Sequence, residues 1–418
     1  MSGEKTRLVP KLRFPEFREA VGWQLVPLSQ LATRAKQKNR DEEIARVLTN
    51  SAEFGVLDQR DFFDKDIATQ GNLESYFVVE LGSYVYNPRI SATAPVGPIS
   101  KNKIGTGVMS PLYTVFKFKD DSNEFYESYF KTTGWHTYMR QASSMGARHD
   151  RMAISSDDFM AMPLPASTPK EQQKIADCLN SLDELIAAQA LKVESLKTHK
   201  KGLMQQLFPH EGETQPRRRF SEFLDAGEWE ETRLGKLGKL VSGLTYSPDD
   251  VREAGLLVLR SSNVQNSEIA LDDCVYVDPS IKGANLSQPE DILICVRNGS
   301  KALIGKCALI PKGMPLCTHG AFMTVFRAEA PSFVFQLFQS EKYQKQVAGD
   351  LGATINSING SQFLKYEFMV PKSAEQKRIA DFLFSLDALI TAAAQELDTL
   401  KTHKKGLMQQ LFPSFAGN

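Results

Sequence analysis

The chain contains two copies of one sequence frame. Residues 196–209 read LKTHKKGLMQQLFP, and the same fourteen letters return without a change at residues 400–413. Extending this match backwards, to residues 171–209 against residues 375–413, gives 27 identities in 39 positions. Two such units, each of about 205 residues, fill the 418-residue chain. The sequence therefore predicts a duplicated fold.

The beginnings of the two copies also match, whereas their middles differ. At an offset of 206, the shared residues are Arg13, Phe14, Glu16, Phe17, Ala20, Trp23, Leu28 and Leu31 with Arg219, Phe220, Glu222, Phe223, Ala226, Trp229, Leu234 and Leu237. In between, only sparse anchors remain at an offset of 208, such as Arg89 with Arg297 and Gly97 with Gly305. A common frame with divergent middles indicates two different binding surfaces rather than one activity present twice.

Composition limits the class of protein. With 42% hydrophobic residues, the chain can bury one ordinary core per copy without disulfides. The first residues show no apolar run typical of a signal peptide, and no stretch of about eighteen apolar residues occurs. We therefore expect a cytoplasmic protein that does not bind a membrane. Fifty basic and fifty acidic residues leave no net charge, so local basic patches or a partner would have to hold a nucleic acid.

The sequence shows no pattern typical of a catalytic or metal site. The five cysteines lack the close spacing of a zinc site or redox pair, and the six histidines lack the spacing of a metal site or catalytic triad. Residues 299–306 resemble a phosphate-binding loop, but the glycine spacing is one residue too long and Cys307 replaces the Ser or Thr that holds magnesium. Residues 87–89 and 278–280 lack the Pro-Pro-aromatic motif of an amine methyltransferase. We expect neither a metal nor a cofactor in this chain.

A heptad pattern follows each divergent middle. Apolar residues recur in steps of four and three through residues 171–207 and again through residues 375–411, with Lys200 and Lys404 interrupting the pattern at the same point. We predict that both segments are long helices. Two equal apolar stripes in one chain bury most simply against each other, as an antiparallel pair with a divergent domain at each end. The alternative is that each helix packs on its own domain as an ordinary amphipathic element.

Each divergent middle is predicted to be a mixed α and β domain. Short apolar stretches between turn signals predict strands at residues 76–79, 84–86, 113–118, 256–259, 291–296, 308–310 and 322–326. Helices are predicted at residues 124–141 and 332–348. A closing strand is expected near residues 159–164 in the first copy and 366–370 in the second.

Polar side chains cluster in the loops of both domains. Arg and Asn are the side chains best able to make paired hydrogen bonds with guanine and adenine. The candidate nucleic-acid contacts are Arg89, Ser91, Arg148, His149 and Arg151 in the first copy and Arg297, Asn298, His319, Asn356 and Asn359 in the second. The loops around Arg148 and Asn356 occupy equivalent positions but differ in chemistry, as two different base readouts require. The alternative is that these are plain surface loops.

The fourteen identical residues near the end of each helix include a basic run that suits a helix C-terminus. Complete identity exceeds what the helix dipole requires, so we infer either recent duplication or a shared surface for partner subunits. The candidate subunit-contacting residues are Leu196, Lys200, Leu203, Leu207, Leu400, Lys404, Leu407 and Leu411.

This order of divergent domain, long helix, second domain and second helix resembles the specificity subunit of Type I restriction-modification systems, over nearly the whole chain. The resemblance is carried by Pro165 with residues 171–183, by Pro371 with residues 375–387, by the two KKGLMQQLFP endings and by the Arg-Phe, Glu-Phe and Trp positions at each start. The step from the proline to the helix is six residues in the first copy and four in the second, so the twofold repeat is imperfect at one junction.

The resemblance implies an α+β fold, in which two pseudo-twofold-related mixed α/β target recognition domains are separated by two long antiparallel coiled-coil helices. The implied divisions are recognition domain 1 (1–168), a central helix (169–209), a linker (210–220), recognition domain 2 (221–372) and a C-terminal helix (373–413). Each recognition domain would read one half of a bipartite, asymmetric DNA target. The helix pair would set the spacer and dock the methyltransferase subunits.

The resemblance also implies a subunit that does no chemistry itself. Its expected partners are double-stranded DNA, two modification subunits that use S-adenosylmethionine to methylate adenine, and two restriction subunits that use ATP and magnesium. Two competing interpretations remain. One is a non-catalytic scaffold whose two divergent domains bind proteins, and the other is a self-sufficient methyltransferase.

Overall fold

The computed structural model describes residues 8–62, 73–145, 150–351 and 356–413. The chain divides into two compact units, one formed by Met1–Ala190 with Glu396–Asn418 and the other by Leu191–Gln395. Each unit therefore holds one divergent domain and part of both long helices. Among the described residues, no helix combines the length and the apolar character needed to cross a membrane.

The first unit is a mixed α and β structure that opens with a 3-10 turn at Pro15–Phe17. Its strands are β1 (Gln24–Pro27), β2 (Ala32–Arg34), β3 (Leu48–Ser51), β4 (Gly55–Asp58), β5 (Phe77–Val79), β6 (Tyr84–Tyr86), β7 (Ile99–Lys101), β8 (Gly107–Met109), β9 (Thr114–Phe118), β10 (Ser144–Met145), β11 (Met152–Ala153) and β12 (Pro163–Ala166). Its helices are α1 (Leu28–Leu31), α2 (Gln59–Phe62), α3 (Glu124–Phe130), α4 (His136–Ala142), α5 (Ser156–Met160) and the start of α6 (Pro169–Leu207).

The second unit begins and ends with the same elements as the first and differs in between. Its strands are β13 (Glu230–Arg233), β14 (Gly238–Ser242), β15 (Val251–Arg252), β16 (Leu256–Leu259), β17 (Val264–Gln265), β18 (Glu268–Ile269), β19 (Val275–Val277), β20 (Ile292–Cys295), β21 (Cys307–Leu309), β22 (Cys317–His319), β23 (Met323–Ala328) and β24 (Glu367–Val370). Its helices are α7 (Leu234–Leu237), α8 (Pro331–Phe338), α9 (Glu341–Asp350), α10 (Gly360–Phe363) and the start of α11 (Ser373–Leu411). Short 3-10 turns lie at Ser221–Phe223, Pro248–Asp250, Ser261–Asn263 and Lys301–Leu303.

Both units contain the same central antiparallel sheet. Its strand order is β2-β9-β6-β7 in the first unit and β14-β23-β20-β21 in the second. The registers correspond, because Tyr84 lies opposite Phe116 in one unit and Ile292 lies opposite Phe326 in the other. Every residue of β6 and β20 is buried, as a short continuous apolar run predicts. The mixed α and β character predicted for each domain is confirmed.

A glycine near the central sheet explains one of the sequence anchors. Gly97 and Gly305 have positive φ angles of +79° and +85°, a conformation that L side chains rarely adopt. At Gly97, an added Cβ would lie only 2.0 Å from the carbonyl oxygen of Asn87. Backbone geometry therefore restricts this position in two middles that otherwise differ.

The units differ beside the central sheet. In the first unit, β3 and β4 form a hairpin in which Leu48 lies opposite Asp58. In the second unit, β16 pairs parallel with β22 and antiparallel with β19. The small β17–β18 hairpin, which pairs Val264 with Ile269, intervenes before β19. The shared frame thus carries different surface segments at this edge.

Two of the predicted helices are interrupted. Residues 124–141 form the separate helices α3 and α4, and residues 332–348 lie in the separate helices α8 and α9. Ser340 begins the new helix in the second unit, because its Oγ accepts a hydrogen bond of 3.3 Å from the Tyr343 N–H. A serine between two helices is a favourable N-cap, and this signal could have placed the break.

The closing strand of the first domain begins later than predicted. Phe159 lies in α5, which Ser155 caps by accepting a 3.0 Å hydrogen bond from the Asp158 N–H. Strand β12 then pairs with β1, with Leu164 opposite Val26. The other predicted strands are confirmed to within two residues.

Both predicted long helices are confirmed as α6 and α11, each of 39 residues. In the first unit, Lys404 makes an ion pair with Asp183, and Gln189 Nε2 donates a 2.8 Å hydrogen bond to Glu396. Residue numbers rise along one helix as they fall along the other. The helix segments therefore pair antiparallel within this unit, as the two equal stripes predict.

The core of each unit contains the start of one long helix and the end of the other. Ile175 and Leu179 of α6 lie in the first core together with Leu411 and Phe412 from the end of α11. The second core contains the start of α11 and the end of α6, through the residues Ile379, Leu383, Leu207 and Phe208. The alternative in which each helix packs only on its own domain is therefore wrong.

This packing corrects the prediction of partner-subunit contacts for three of the candidate residues, and the others stay a prediction. Leu203, Leu207 and Leu411 are core residues with exposed fractions of 6%, 3% and 1%. Lys200 and Lys404 are ion-paired with Asp387 and Asp183. Leu196, Leu400 and Leu407 are half-buried. The equivalent cores explain the apolar members of the fourteen identical residues, whereas Lys197, His199 and Lys201 are exposed and stay available to a partner.

A buried ion pair joins the start of each unit to a long helix. Arg13 donates to both carboxylate oxygens of Glu171, with Nε–Oε1 and Nη2–Oε2 distances of 2.7 and 2.8 Å. Arg219 makes the same two contacts with Glu375, both at 2.7 Å. Each side chain is at most 6% exposed. Both residues of the pair are identical in the two copies because a bidentate contact requires this geometry.

Candidate nucleic-acid interface

Two separated segments of the first domain meet just beyond strand β6. Arg89, in the loop that follows this strand, forms an isolated antiparallel β-bridge with Arg151. The Met152 N–H donates to the carbonyl oxygen of Pro88 at 2.9 Å, and the Ile90 N–H donates to Asp150 at 3.0 Å. The backbone of one segment therefore holds the other in place.

The second domain builds the same arrangement beyond strand β20. Arg297 forms an antiparallel bridge with Ser357, and the Ile358 N–H donates to the carbonyl oxygen of Val296 at 2.8 Å. We refer to residues 87–91 with 150–152, and to residues 296–300 with 356–359, as the paired-loop surface of each unit. The equivalence inferred from the sequence for these loops extends to their backbone pairing.

A third segment supports the paired-loop surface in each unit. In the first unit, the buried amide of Asn87 donates a 2.9 Å hydrogen bond to the carbonyl oxygen of Asn50, at the end of β3. In the second unit, Asn298 Nδ2 donates to Ser261 Oγ at 3.2 Å, just after β16. Because buried amides need partners, these contacts fix the direction in which each loop leaves its strand.

The first paired-loop surface presents arginines. The Arg89 side chain is exposed. Arg151 is 28% exposed and lies 3.7 Å from Asp150, measured between Nε and Oδ2. Ser91 is exposed, but its Oγ accepts a 3.1 Å hydrogen bond from the Ala94 N–H and so shapes a turn. Arg148 and His149 lie outside the described residues.

The second paired-loop surface combines an arginine with an aromatic ring and amides. Arg297 is exposed, and its guanidinium carbon lies 5.8 Å from the ring centroid of Phe322, which is a cation–π contact. Asn356 Nδ2 donates to the carbonyl oxygen of Gly299 at 3.2 Å. The Oδ1 of Asn298 accepts from the Ser300 N–H at 3.0 Å. These amides shape the loop as well as lining it.

Asn359 has a structural role that the sequence prediction did not include. It is the N-cap of α10, and its Oδ1 accepts from the N–H and Oγ–H of Ser361 at 2.9 and 2.7 Å. A paired contact with adenine uses both the oxygen and the nitrogen of an amide. The same Oδ1 would have to serve both the cap and the base, and the contact of Asn359 with DNA stays a prediction.

His319 does not lie on the paired-loop surface. Its side chain is fully buried in β22. Nε2 donates to the carbonyl oxygen of Val241 at 2.9 Å, and Nδ1 lies 3.3 Å from Ser287 Oγ. Burial lowers the pKa of the imidazole below its usual value. The prediction that His319 contacts DNA is therefore wrong, and this neutral ring joins two segments of the core.

Two exposed aromatic residues were missed by the sequence prediction. Phe322 is 59% exposed beside Arg297, although residues 322–326 were expected to form a strand. Phe54 is 61% exposed in the turn between β3 and β4, just beyond Asn50. Hydropathy assigns phenylalanine to a core, so only the Gly320-Ala321 break before Phe322 and the Gly55 turn beside Phe54 could have indicated their exposure.

The described thiols and acidic residues add neither a nucleophile nor a metal site to the paired-loop surfaces. Burial raises the pKa of Cys307 to about 12, so this thiol stays protonated and is not a nucleophile near neutral pH. Within the described ranges, no group of three or more His, Cys, Asp or Glu side chains is arranged to hold a metal ion. The chemistry on the paired-loop surfaces is that of hydrogen bonding and of arginine charge, with Asp150 beside Arg151 in the first unit.

Residues 226–402 match the family model of the Type I restriction modification DNA specificity domain. The chain is 29% identical over 182 residues to the specificity subunit of the Type I restriction enzyme StySPI from Salmonella potsdam. That match covers 41% of this chain and 39% of the relative, so it spans about two fifths of the relative's length. The MjaVIII specificity subunit of Methanocaldococcus jannaschii is 26% identical over 329 residues, which cover 75% of this chain and 74% of the relative.

The fold is also that of a solved structure. The crystal structure of the Type I restriction-modification system S subunit from M. genitalium superimposes with a TM-score of 0.56 at 14% identity, over 98% of this chain and 100% of that one. At this identity the likeness shows the shared fold alone. The duplicated frame, the matched specificity domain in residues 226–402 and the shared fold together make this chain similar to the specificity subunits of Type I restriction-modification systems.

Proposed function

We propose that this chain is the non-catalytic DNA-recognition subunit of a Type I restriction-modification complex, and that each unit reads one half of a bipartite, asymmetric target. The observation that carries the proposal is the paired-loop surface, which has one backbone design and two side-chain sets. Arg89 and Arg151 occupy it in the first unit, and Arg297 and Asn356 occupy it in the second. Reading two different half-targets requires the same backbone arrangement in both units and a different set of side chains in each.

The paired-loop surface suits base reading for a physical reason. An arginine that donates two parallel hydrogen bonds to guanine loses less conformational freedom on binding when its backbone is already held in place. Arg297 meets this condition, since its N–H donates to the Phe322 carbonyl oxygen at 3.1 Å and its backbone also bridges Ser357. Arg89 is held in the same way by its bridge to Arg151. The two guanidinium groups thus project from fixed points.

The proposed partners are those that the resemblance to Type I specificity subunits implies, and the balance of charges gives them a physical role. With fifty basic and fifty acidic residues, this chain has no net field to attract DNA. We infer that two modification subunits, which bind S-adenosylmethionine, and two restriction subunits, which use ATP and magnesium, supply phosphate contacts and chemistry. The antiparallel helix segments set the spacer between the half-targets and dock the modification subunits.

Exchanging residues 33–165 for the equivalent segment of a relative is expected to change one half of the methylated motif and leave the other half unchanged. The reason is that the exchanged segment contains the whole first paired-loop surface and none of the second. Methylome sequencing of a host that carries the complete system measures both halves. The matched control exchanges residues 239–371, which should change the opposite half.

Alteration of both halves by one exchange would contradict the modular assignment. Absence of any sequence motif with the unaltered complex would favour the other class of protein, a scaffold whose domains bind proteins. Methyl transfer by the purified chain alone would support the alternative that the chain is a self-sufficient methyltransferase.

Arg297→Ala is expected to weaken binding of the assembled complex to its cognate DNA by about 1–3 kcal/mol, because a paired contact with one base is lost. Lys312→Ala is the matched control, since Lys312 is 79% exposed and lies beyond the opposite end of β20. Titrations on cognate and scrambled duplexes at two salt concentrations measure the effect. Equal loss on both duplexes would assign Arg297 to a phosphate instead, and no loss on either would place DNA elsewhere.

A further inference from the structure

A lysine interrupts the apolar stripe of each long helix and forms an ion pair with an aspartate on the other helix. Lys200 Nζ lies 2.6 and 2.7 Å from the two carboxylate oxygens of Asp387, and its side chain is only 13% exposed. Lys404 makes the equivalent ion pair with Asp183 and is 12% exposed. Both pairs connect an early position of one helix to a late position of the other.

An apolar stripe alone does not fix the register of two helices. Leucines that recur every seven residues meet other leucines after a shift of one heptad, which is about 10 Å along the helix. A charged residue within the stripe removes this freedom, since it is tolerated only opposite its partner. The position of that partner therefore selects one register among several.

The sequence of each helix provides no second partner at heptad spacing. Seven residues before and after Asp387 stand Ala380 and Ala394. The residues at the same distances from Asp183 are also alanines, Ala176 and Ala190. A shift of one heptad in either direction would therefore place both half-buried ammonium groups opposite methyl groups, at the cost of two unpaired charges.

In the second unit, a further hydrogen bond stabilises the Lys200–Asp387 pair. The amide of Gln336, a fully buried residue of α8, donates a 3.2 Å hydrogen bond to Asp387 Oδ2. The carboxylate that receives Lys200 is thus also held by the domain, and it is 33% exposed against 49% for Asp183. We expect the Lys200–Asp387 pair to be the stronger determinant of register.

We propose that these two lysine–aspartate pairs fix the register of the long helices and, through it, the number of base pairs between the two half-targets. This inference rests on the proposed function. It identifies Lys200, Asp387, Lys404 and Asp183 as determinants of spacer length that contact no DNA. They act by positioning, so their substitution is expected to change the spacer and leave the half-targets unchanged.

The test exchanges charges in the assembled complex. Lys200→Asp places two carboxylates together, and we expect the preference for the wild-type spacer to fall about tenfold or more in selection from duplexes with variable spacers. Adding Asp387→Lys should restore it. Lys197→Asp is the control, because Lys197 is 55% exposed and its ion pair is with Glu194 of its own helix. An unchanged spacer preference in Lys200→Asp, or a loss that Asp387→Lys does not restore, would overturn the proposal.

A second measurement needs no DNA. Gln189→Cys with Glu396→Cys reports the observed register through a short bifunctional thiol cross-linker, since the 2.8 Å hydrogen bond from Gln189 Nε2 to Glu396 Oε2 shows that the ends of the two native side chains meet. Gln189→Cys with Leu389→Cys reports a shift of one heptad. The second cross-link should appear only when Lys404→Asp is added, and should vanish when Asp183→Lys is added as well. Sole formation of the first cross-link in every background would overturn the register assignment, whereas a wild-type complex without any DNA motif would overturn the proposed function instead. If Lys200→Asp fails to fold, Lys200→Ala replaces it, since this change removes the ammonium group without placing two carboxylates together, and an unchanged spacer preference in Lys200→Ala would equally overturn the proposal.

Discussion

Arg13→Ala is expected to lower the free energy of unfolding by about 3–5 kcal/mol, the range found when one partner of a buried ion pair is removed. The truncated side chain would leave the Glu171 carboxylate, which is fully buried, without either of its two guanidinium contacts. The carbonyl oxygens of Ala20 and Val21 would lose a donor as well. Urea unfolding of the purified chain, followed by circular dichroism, measures the loss.

Two further variants separate this buried pair from ordinary surface charge. Lys174→Ala removes a neighbouring ion pair to Glu16, at 3.4 Å, whose side chains are 52% and 47% exposed, and it should change stability little. Arg13→Met combined with Glu171→Leu should recover most of the loss, because apolar side chains of similar volume carry no desolvation cost. An Arg13→Ala protein as stable as the wild type would show that this contact is not maintained in solution.

Much of the architecture could be predicted because the sequence contains a periodic apolar pattern, short apolar runs and an internal repeat. The heptad pattern placed α6 and α11, and short apolar runs placed β6 and β16 at their observed residues. Propensity over short windows could not place the break between α8 and α9, since it depends on the single cap that Ser340 provides. The identity of Arg13 and Glu171 with their counterparts was visible in the sequence, but their pairing was not.

The candidate site was harder to predict because it depends on contacts between distant residues. The bridge between Arg89 and Arg151 joins segments that are about sixty residues apart, and no local pattern encodes it. His319 was misassigned for the same reason, because its partner Val241 lies in another strand. Asn359 is different, since an asparagine directly before a short helix is a recognisable N-cap signal.

The second large effect is expected at the last residues of the long helices. Phe412→Ala should destabilise the first unit by about 3–5 kcal/mol, the usual cost of removing a buried phenylalanine ring. Phe412 is 3% exposed, and its ring centroid lies 5.1 Å from that of Phe125 and 5.6 Å from that of Tyr129. Phe208 occupies the equivalent position in the second unit, 6.0 Å from Phe333.

Phe208→Ala is therefore the matched control for Phe412→Ala, because fourteen identical residues surround both positions and only the core that each ring enters differs. Hydrogen exchange measured by mass spectrometry should accelerate in α3 for Phe412→Ala and in α8 for Phe208→Ala. The last helix of the chain would then stabilise the first domain, and the central helix would stabilise the second. If each variant instead loosened the domain that immediately precedes its own helix, the packing of both helix ends described above would be wrong.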